Sequence, residues 1–175
     1  FEHQLKTSGL KTLNTIKPNF NWSCTNIDEI KKEYSLDKYI ILFPFCSVHL
    51  EHKKWPHYNE LINLIKNKYK DQLNIVVAPG PEEIKDAKQI NATCVLNNDN
   101  PLNISQLATL IRDSSCVIAN DTGPAHIASH LDKAGIVLFG SHTTAKKVSI
   151  ENFNFKAISV ENLNHLTVET VIEKT

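Results

Sequence analysis

A chain of 175 residues, 41% of them apolar, is long enough for one domain with a substantial core and room for an arm. Its 19 basic and 19 acidic side chains cancel and are dispersed, which excludes a global field drawing it to nucleic acid or to an anionic membrane. No apolar run approaches a membrane span and no charged leader with an apolar centre opens the chain, so the pattern is that of a soluble protein.

Residues 1–36 are irregular: "IKPNFNW" lacks a clear period, and "IDEIKKEY" suits a short helix. They read as an arm or linker into a domain spanning 37–175. From there the pattern alternates. "YIILFPF" (39–45) is a buried-strand run. "HYNELINLIKNKYK" (57–70) follows Pro56 as a helix with Tyr58, Leu61, Leu64 and Ile65 on one face. "LNIVVA" (73–78) is a strand, and "PEEIKDAKQI" (81–90) a helix with Pro81 and two acids in its first turn. "TCVLN", "CVIA", "GIVLFG" and "KAISV" are further strands, interleaved with helices over "ISQLATLIRDS", "PAHIASHL" and "TVETVIEK". Short apolar strands alternating with helices predict an α/β fold, a Rossmann-like parallel sheet with helices on both faces. Ligands of such sheets collect at the carboxyl ends of the strands.

Four loops follow strands in that way. "FCSVHLEHKKWP" (45–56) suits a phosphate loop, with Lys53 or Lys54 as point charge and Ser47 beside it. The competing interpretation is a solvated basic loop plugged by Trp55. "APGPEE" (78–83) brings Glu82 and Glu83 to where a carboxylate accepts from ribose hydroxyls, unless the acids only cap their helix. "NNDNPLNIS" supplies Asn103 or Ser105 as an N-cap and is assigned no chemistry. In "CVIANDTGPAHIASHL" (116–131), Pro124 near the first helical position leaves the Thr122 and Gly123 amides at the positive end of a helix, an anion site. Gly123 permits close approach, Asp121 either caps the helix or accepts a ligand hydroxyl, Asn120 braces the turn, and His126 falls in the first turn. His126 and His130 have metal-ligand spacing. Ile127 stands where the zinc hydrolase pattern needs glutamate, so no metal is expected.

Together the segments "NDTGPAHIA", "KKWP" with Ser47 and His49 upstream, "PEE", "ISQLATLIRDS" and "GIVLFGSHT" resemble, in order, glycosyltransferase family 9, the heptosyltransferases of the lipopolysaccharide inner core. The resemblance implies the C-terminal, donor-binding half of a GT-B glycosyltransferase, with residues 1–36 as interdomain arm. It implies Lys53 on the donor diphosphate with Ser47 beside it, and Glu83 (Glu82 the neighbouring alternative) on the ribose. Asp121, Thr122, Gly123 and His126 would hold the donor sugar and diphosphate. Two departures stand out: Phe45 and Cys46 follow Pro44 where the family is glycine-rich, and the turn before Glu82 reads Pro79-Gly80-Pro81.

The implied function is inverting, metal-independent transfer of a sugar from a nucleotide-diphosphate sugar, an ADP-heptose, to a lipid-linked saccharide acceptor, without a cofactor. The catalytic base and the acceptor site belong to an N-terminal domain that these residues do not supply. The absence of methionine likewise suggests a fragment or a split gene product. A nucleotide-binding or regulatory domain without catalysis is the alternative, and a generic flavodoxin-like domain ranks last. Cys24, Cys46, Cys94 and Cys116 are scattered, which predicts free thiols and a cytoplasmic protein, with peripheral association at the inner membrane face left open.

Overall fold

The computed structural model describes residues 2–11 and 19–175 of the chain; the expected irregular stretch over 12–18 lies outside the described residues. The described residues form six strands: β1 (Tyr39–Phe43), β2 (Asn74–Val77), β3 (Thr93–Cys94), β4 (Cys116–Asn120), β5 (Gly135–Phe139) and β6 (Phe155–Ser159). They make one sheet in the order β3-β2-β1-β4-β5-β6, with every neighbouring pair parallel. The helices are α1 (Glu2–Thr7), α2 (Asp28–Glu33), α3 (Tyr58–Tyr69), α4 (Ile84–Ala87), α5 (Ile104–Asp113), α6 (Gly123–His130), α7 (Ala145–Val148) and α8 (Val168–Glu173).

Strand side chains alternate between two cores because successive Cβ atoms point to opposite faces. Tyr39, Ile41 and Phe43 of β1, Val117 and Ala119 of β4, and Val137 and Phe139 of β5 pack under α2, α5 and α6. Ile40, Leu42, Ile118, Ile136 and Leu138 pack on the other face under α3 and α8. Both faces of the central strands are thus dry, which is why these segments read as unbroken apolar runs. Ile27, Ile30 and Leu36, ahead of β1, are buried in the first of these cores. Gly135 sits where β4 and β6 close on β5: a Cβ there would strike the Val117 carbonyl and the Phe155 ring.

Three local expectations are corrected. The buried face of α3 is Tyr58, Leu61, Ile62 and Ile65, with Leu64 at its margin, because spacings of three and four from Tyr58 centre the stripe on Ile62. The helix expected over 81–90 is only Ile84–Ala87, and the acids lie ahead of it. Glu83 Oε2 accepts from the Gly80 amide at 2.7 Å and the Glu83 amide donates to Gly80 O at 3.1 Å, so residues 80–83 close into a turn. The stretch read as irregular over 1–36 also holds the short helix α1, Glu2–Thr7, while α7 had no sequence expectation.

Asn103, rather than Ser105, caps α5: its side chain accepts from the Gln106 amide, and Gln106 returns the bond to the Asn103 amide. Asn103→Ala is expected to lower the unfolding free energy by about 1 kcal/mol and the thermal midpoint by about 2–4 °C. A calorimetric melt unchanged within error would show this cap to be idle.

Candidate functional site

Sheet order reverses between β1 and β4, so the loops leaving their carboxyl ends diverge and open a cleft between them. The cleft holds about 1030 Å³. Ser47 and Lys53 line it from the loop after β1, Glu83 from the loop after β2, and Asp121, Thr122, Gly123 and His126 from the end of β4 and the start of α6. All seven residues singled out in the sequence therefore meet in one place. Lys54 is exposed on the neighbouring surface, and Glu82 does not line the cleft.

Asn120 fixes the relation between the two main loops. It is fully buried; its Nδ2 donates to Pro44 O at 2.9 Å, and its Oδ1 accepts from the Trp55 amide at 3.2 Å and from Tyr58 Oη at 3.3 Å. Burial pushes the Tyr58 phenol well above its ordinary pKa, so it stays an O–H donor. Trp55 is the plug of this loop, 1% exposed, with its indole N–H on Leu166 O at 2.8 Å. The basic-loop and phosphate-loop interpretations thus divide by residue: Trp55 serves the core while Lys53 faces the cleft.

Asp121 is the electrostatic centre. It does not cap α6, whose N-cap is Thr122. Its Oδ2 accepts from Lys53 Nζ at 2.8 Å and from His142 Nε2 at 3.0 Å, and His126 Nε2 lies 3.7 Å from Oδ1, beyond hydrogen-bond reach. Burial works to raise the Asp121 carboxyl, but the hydrogen bonds from Lys53 and His142 outweigh it and hold it below the usual carboxylate range.

The start of α6 offers donors. The Ala125 and His126 amides turn back to Thr122 O at 3.0 and 3.4 Å, Pro124 has no N–H, and the Thr122 hydroxyl donates to Asn120 O at 3.3 Å. The Thr122 and Gly123 amides are left without an intrahelical acceptor. A Cβ on Gly123 would meet nothing within 4 Å.

Phe45, one of the departures from the family pattern, turns into the core with 8% exposure and packs with Trp55 and Tyr58. Cys46 lines the cleft, its thiol on Leu50 O at 3.2 Å. Burial pushes that thiol up, with Lys54 opposing, so it is no ready nucleophile.

Sequence reasoning missed His142, which comes from the loop after β5, and the apolar wall of Pro101, Leu102 and Leu107. The signal for the wall was a Pro-Leu pair inside an otherwise polar loop after a strand. For His142 the only signal was its place within "GIVLFGSHT". No helix among the described residues is long and apolar enough to cross a membrane.

The family model described as glycosyltransferase family 9 (heptosyltransferase) matches residues 8–170. No curated protein sequence matches the chain. Among solved structures, E. coli heptosyltransferase WaaC with ADP is 20% identical with a TM-score of 0.70, covering 98% of this chain and 53% of that one. E. coli ADP-heptose LPS heptosyltransferase II is 17% identical with a TM-score of 0.67, over 94% of this chain and 51% of that one. UDP-GlcNAc 2-epimerase of Methanocaldococcus jannaschii, in complex with UDP-GlcNAc and UDP, is 16% identical with a TM-score of 0.60, over 99% of this chain and 50% of that one. The chain spans about half the length of each of these structures, and at these identities the likeness is one of fold.

Proposed function

Because the chain belongs to glycosyltransferase family 9, we propose that it is the donor-binding half of an inverting, metal-independent glycosyltransferase that uses a nucleotide-diphosphate sugar. The observation that carries this reading is the convergence of a lysine, an open helix N-terminus and two carboxylates on one cleft at the switch point of the sheet. ADP in the WaaC structure favours an adenine nucleotide, and with it an ADP-heptose donor and a lipid-linked acceptor of the lipopolysaccharide core, reached from the cytoplasmic side of the membrane.

Each role follows from charge. The acceptor hydroxyl attacks the anomeric carbon, the bond to the diphosphate breaks, and the electron pair leaves on a phosphate oxygen. Lys53 and the Thr122 and Gly123 amides receive that charge, with Ser47 as an added donor. Asp121 would repel phosphate, so its Oδ1 accepts a sugar hydroxyl, with His126 alongside. Glu83 has Oε2 committed to Gly80, which fixes its carboxylate and leaves Oε1 for ribose hydroxyls. Both cleft carboxylates are thereby engaged, and the base that takes the acceptor proton is assigned to an acceptor-binding domain outside these residues.

Calorimetric titration of the chain with ADP, UDP and GDP tests the reading. ADP is expected to bind in preference to the other two, and absence of ADP binding would overturn the assignment. Gly123→Ala sharpens the test, since its methyl meets open space in the protein and the fold should be unaffected. Its ADP affinity is expected to fall about tenfold, the equivalent of about 1.4 kcal/mol. Unchanged affinity would remove the α6 N-terminus from the phosphate site.

A further inference from the structure

The loop after β5 brings a buried imidazole to the oxygen that holds Lys53. His142 has a side chain 8% exposed, and its Nε2 shares Asp121 Oδ2 with the lysine. Phe139 stacks on the ring at 6.0 Å and 23°, and His52 meets it edge-on at 5.5 Å, so its plane is fixed. Nδ1 is buried without a hydrogen-bond partner among the described residues; a Cβ on Gly140 would stand 3.5 Å from it.

That orphan atom assigns the tautomer. An ionised carboxylate only accepts, so Nε2 carries the ring proton and donates it to Asp121. Nδ1 is then a bare lone pair, which costs less in that recess than an N–H lacking an acceptor. Through Nε2, His142 donates to the same carboxylate oxygen that holds Lys53. A lysine has a long flexible stem and three rotatable donors, and a carboxylate tethered only to it would follow its motion. A carboxylate also tied to a packed imidazole has one position.

We propose that His142 is a positioning residue for Lys53: its Nε2–H locks the Asp121 carboxylate, and the locked carboxylate holds the lysine ammonium where the donor diphosphate arrives. The second half of this statement rests on the diphosphate reading of Lys53; the first does not.

Two measurements on the full 175-residue chain keep those halves apart. Without nucleotide, the Lys53 ammonium is followed by nitrogen-15 NMR. Its signal, slowed in exchange by Asp121, is expected to broaden away in His142→Leu and to return in His142→Gln, whose amide N–H reaches Asp121. With ADP, His142→Leu is expected to weaken binding about tenfold and His142→Gln less than about threefold. In a Lys53→Ala background, His142→Leu should cost nothing further, because its effect runs through the lysine.

An ammonium signal unchanged in His142→Leu would overturn the proposal. So would the same loss of affinity with and without Lys53, since a merely structural histidine acts additively. Should His142→Leu fail to fold, His142→Asn, polar but too short to reach Asp121, takes its place in both measurements. If the wild-type chain binds no ADP, the diphosphate reading falls while the ammonium signal still decides whether His142 orders Lys53.

Discussion

Asn120→Ala is expected to destabilise the chain by about 3 kcal/mol in urea unfolding, because it strands several buried polar groups at once. The Pro44 carbonyl loses its 2.9 Å donor, the Trp55 amide its 3.2 Å acceptor, and the Tyr58 hydroxyl one of its two acceptors, Phe43 O remaining. The position is fully buried, so water does not replace these bonds without opening the loop. Asn120→Asp keeps the shape but sets a carboxylate oxygen against Pro44 O, and should be at least as damaging. Both variants loosen the segment between Pro44 and Trp55, which carries Lys53, so any nucleotide affinity should fall with the stability. A cost below about 1 kcal/mol for Asn120→Ala would mean that the loops are held by Trp55 and Tyr58 packing instead.

Asn120 also marks what could be read from sequence. Its bracing role was legible because a polar residue ending an apolar strand, just before a turn, must place its amide somewhere. The six strands and both cores were legible for a related reason: a strand buried on both faces leaves an unbroken apolar run, and the parallel sheet requires helices between such runs. The site loops followed from strand ends alone. What stayed hidden depends on pairings that periodicity does not encode. His142 and Asp121 meet because β5 lies beside β4, and only the three-dimensional register brings the two loops together. Pro101 and Leu102 come from a loop whose polar neighbours masked them. The length of α4 was misjudged because Glu83 turns back to Gly80 rather than extending the helix. Phe45 breaks the alternation of β1: its parity would place it with Tyr39, Ile41 and Phe43, yet past Pro44 it packs in the other core with Trp55 and Tyr58 while still bordering the cleft.

Lys53→Ala carries the other large effect, and it has two separable parts. In binding, loss of a charged donor to the diphosphate is expected to weaken ADP by roughly tenfold to a hundredfold, the equivalent of about 1.5–3 kcal/mol. In stability, the variant leaves Asp121, 6% exposed, with His142 but without its cation. Breaking one side of such a pair costs about 2 kcal/mol at neutral pH, less than a fully interior pair because the cleft admits water. The pH dependence gives the sign. In the wild-type chain the Asp121 carboxyl sits below its ordinary value, so its contribution is fully present above the unfolded carboxyl pKa and is lost as pH falls through the lower folded one. In Lys53→Ala burial still raises the carboxyl and the His142 hydrogen bond still lowers it, but the lysine's own bond and charge are gone. The carboxyl therefore titrates higher than in the wild-type chain, and its charged form is less well stabilised near neutrality. The stability gap between the two proteins should therefore be widest near pH 7 and close as pH falls through the lowered Asp121 pKa of the wild-type chain. Urea unfolding at several pH values reads this directly. A gap that stays constant with pH would show that Lys53 contributes packing rather than charge, and the carboxylate would then have no need of it. That outcome would also remove the reason to place an ammonium at the phosphate site, because an unpaired, mobile lysine has no defined position from which to meet the diphosphate.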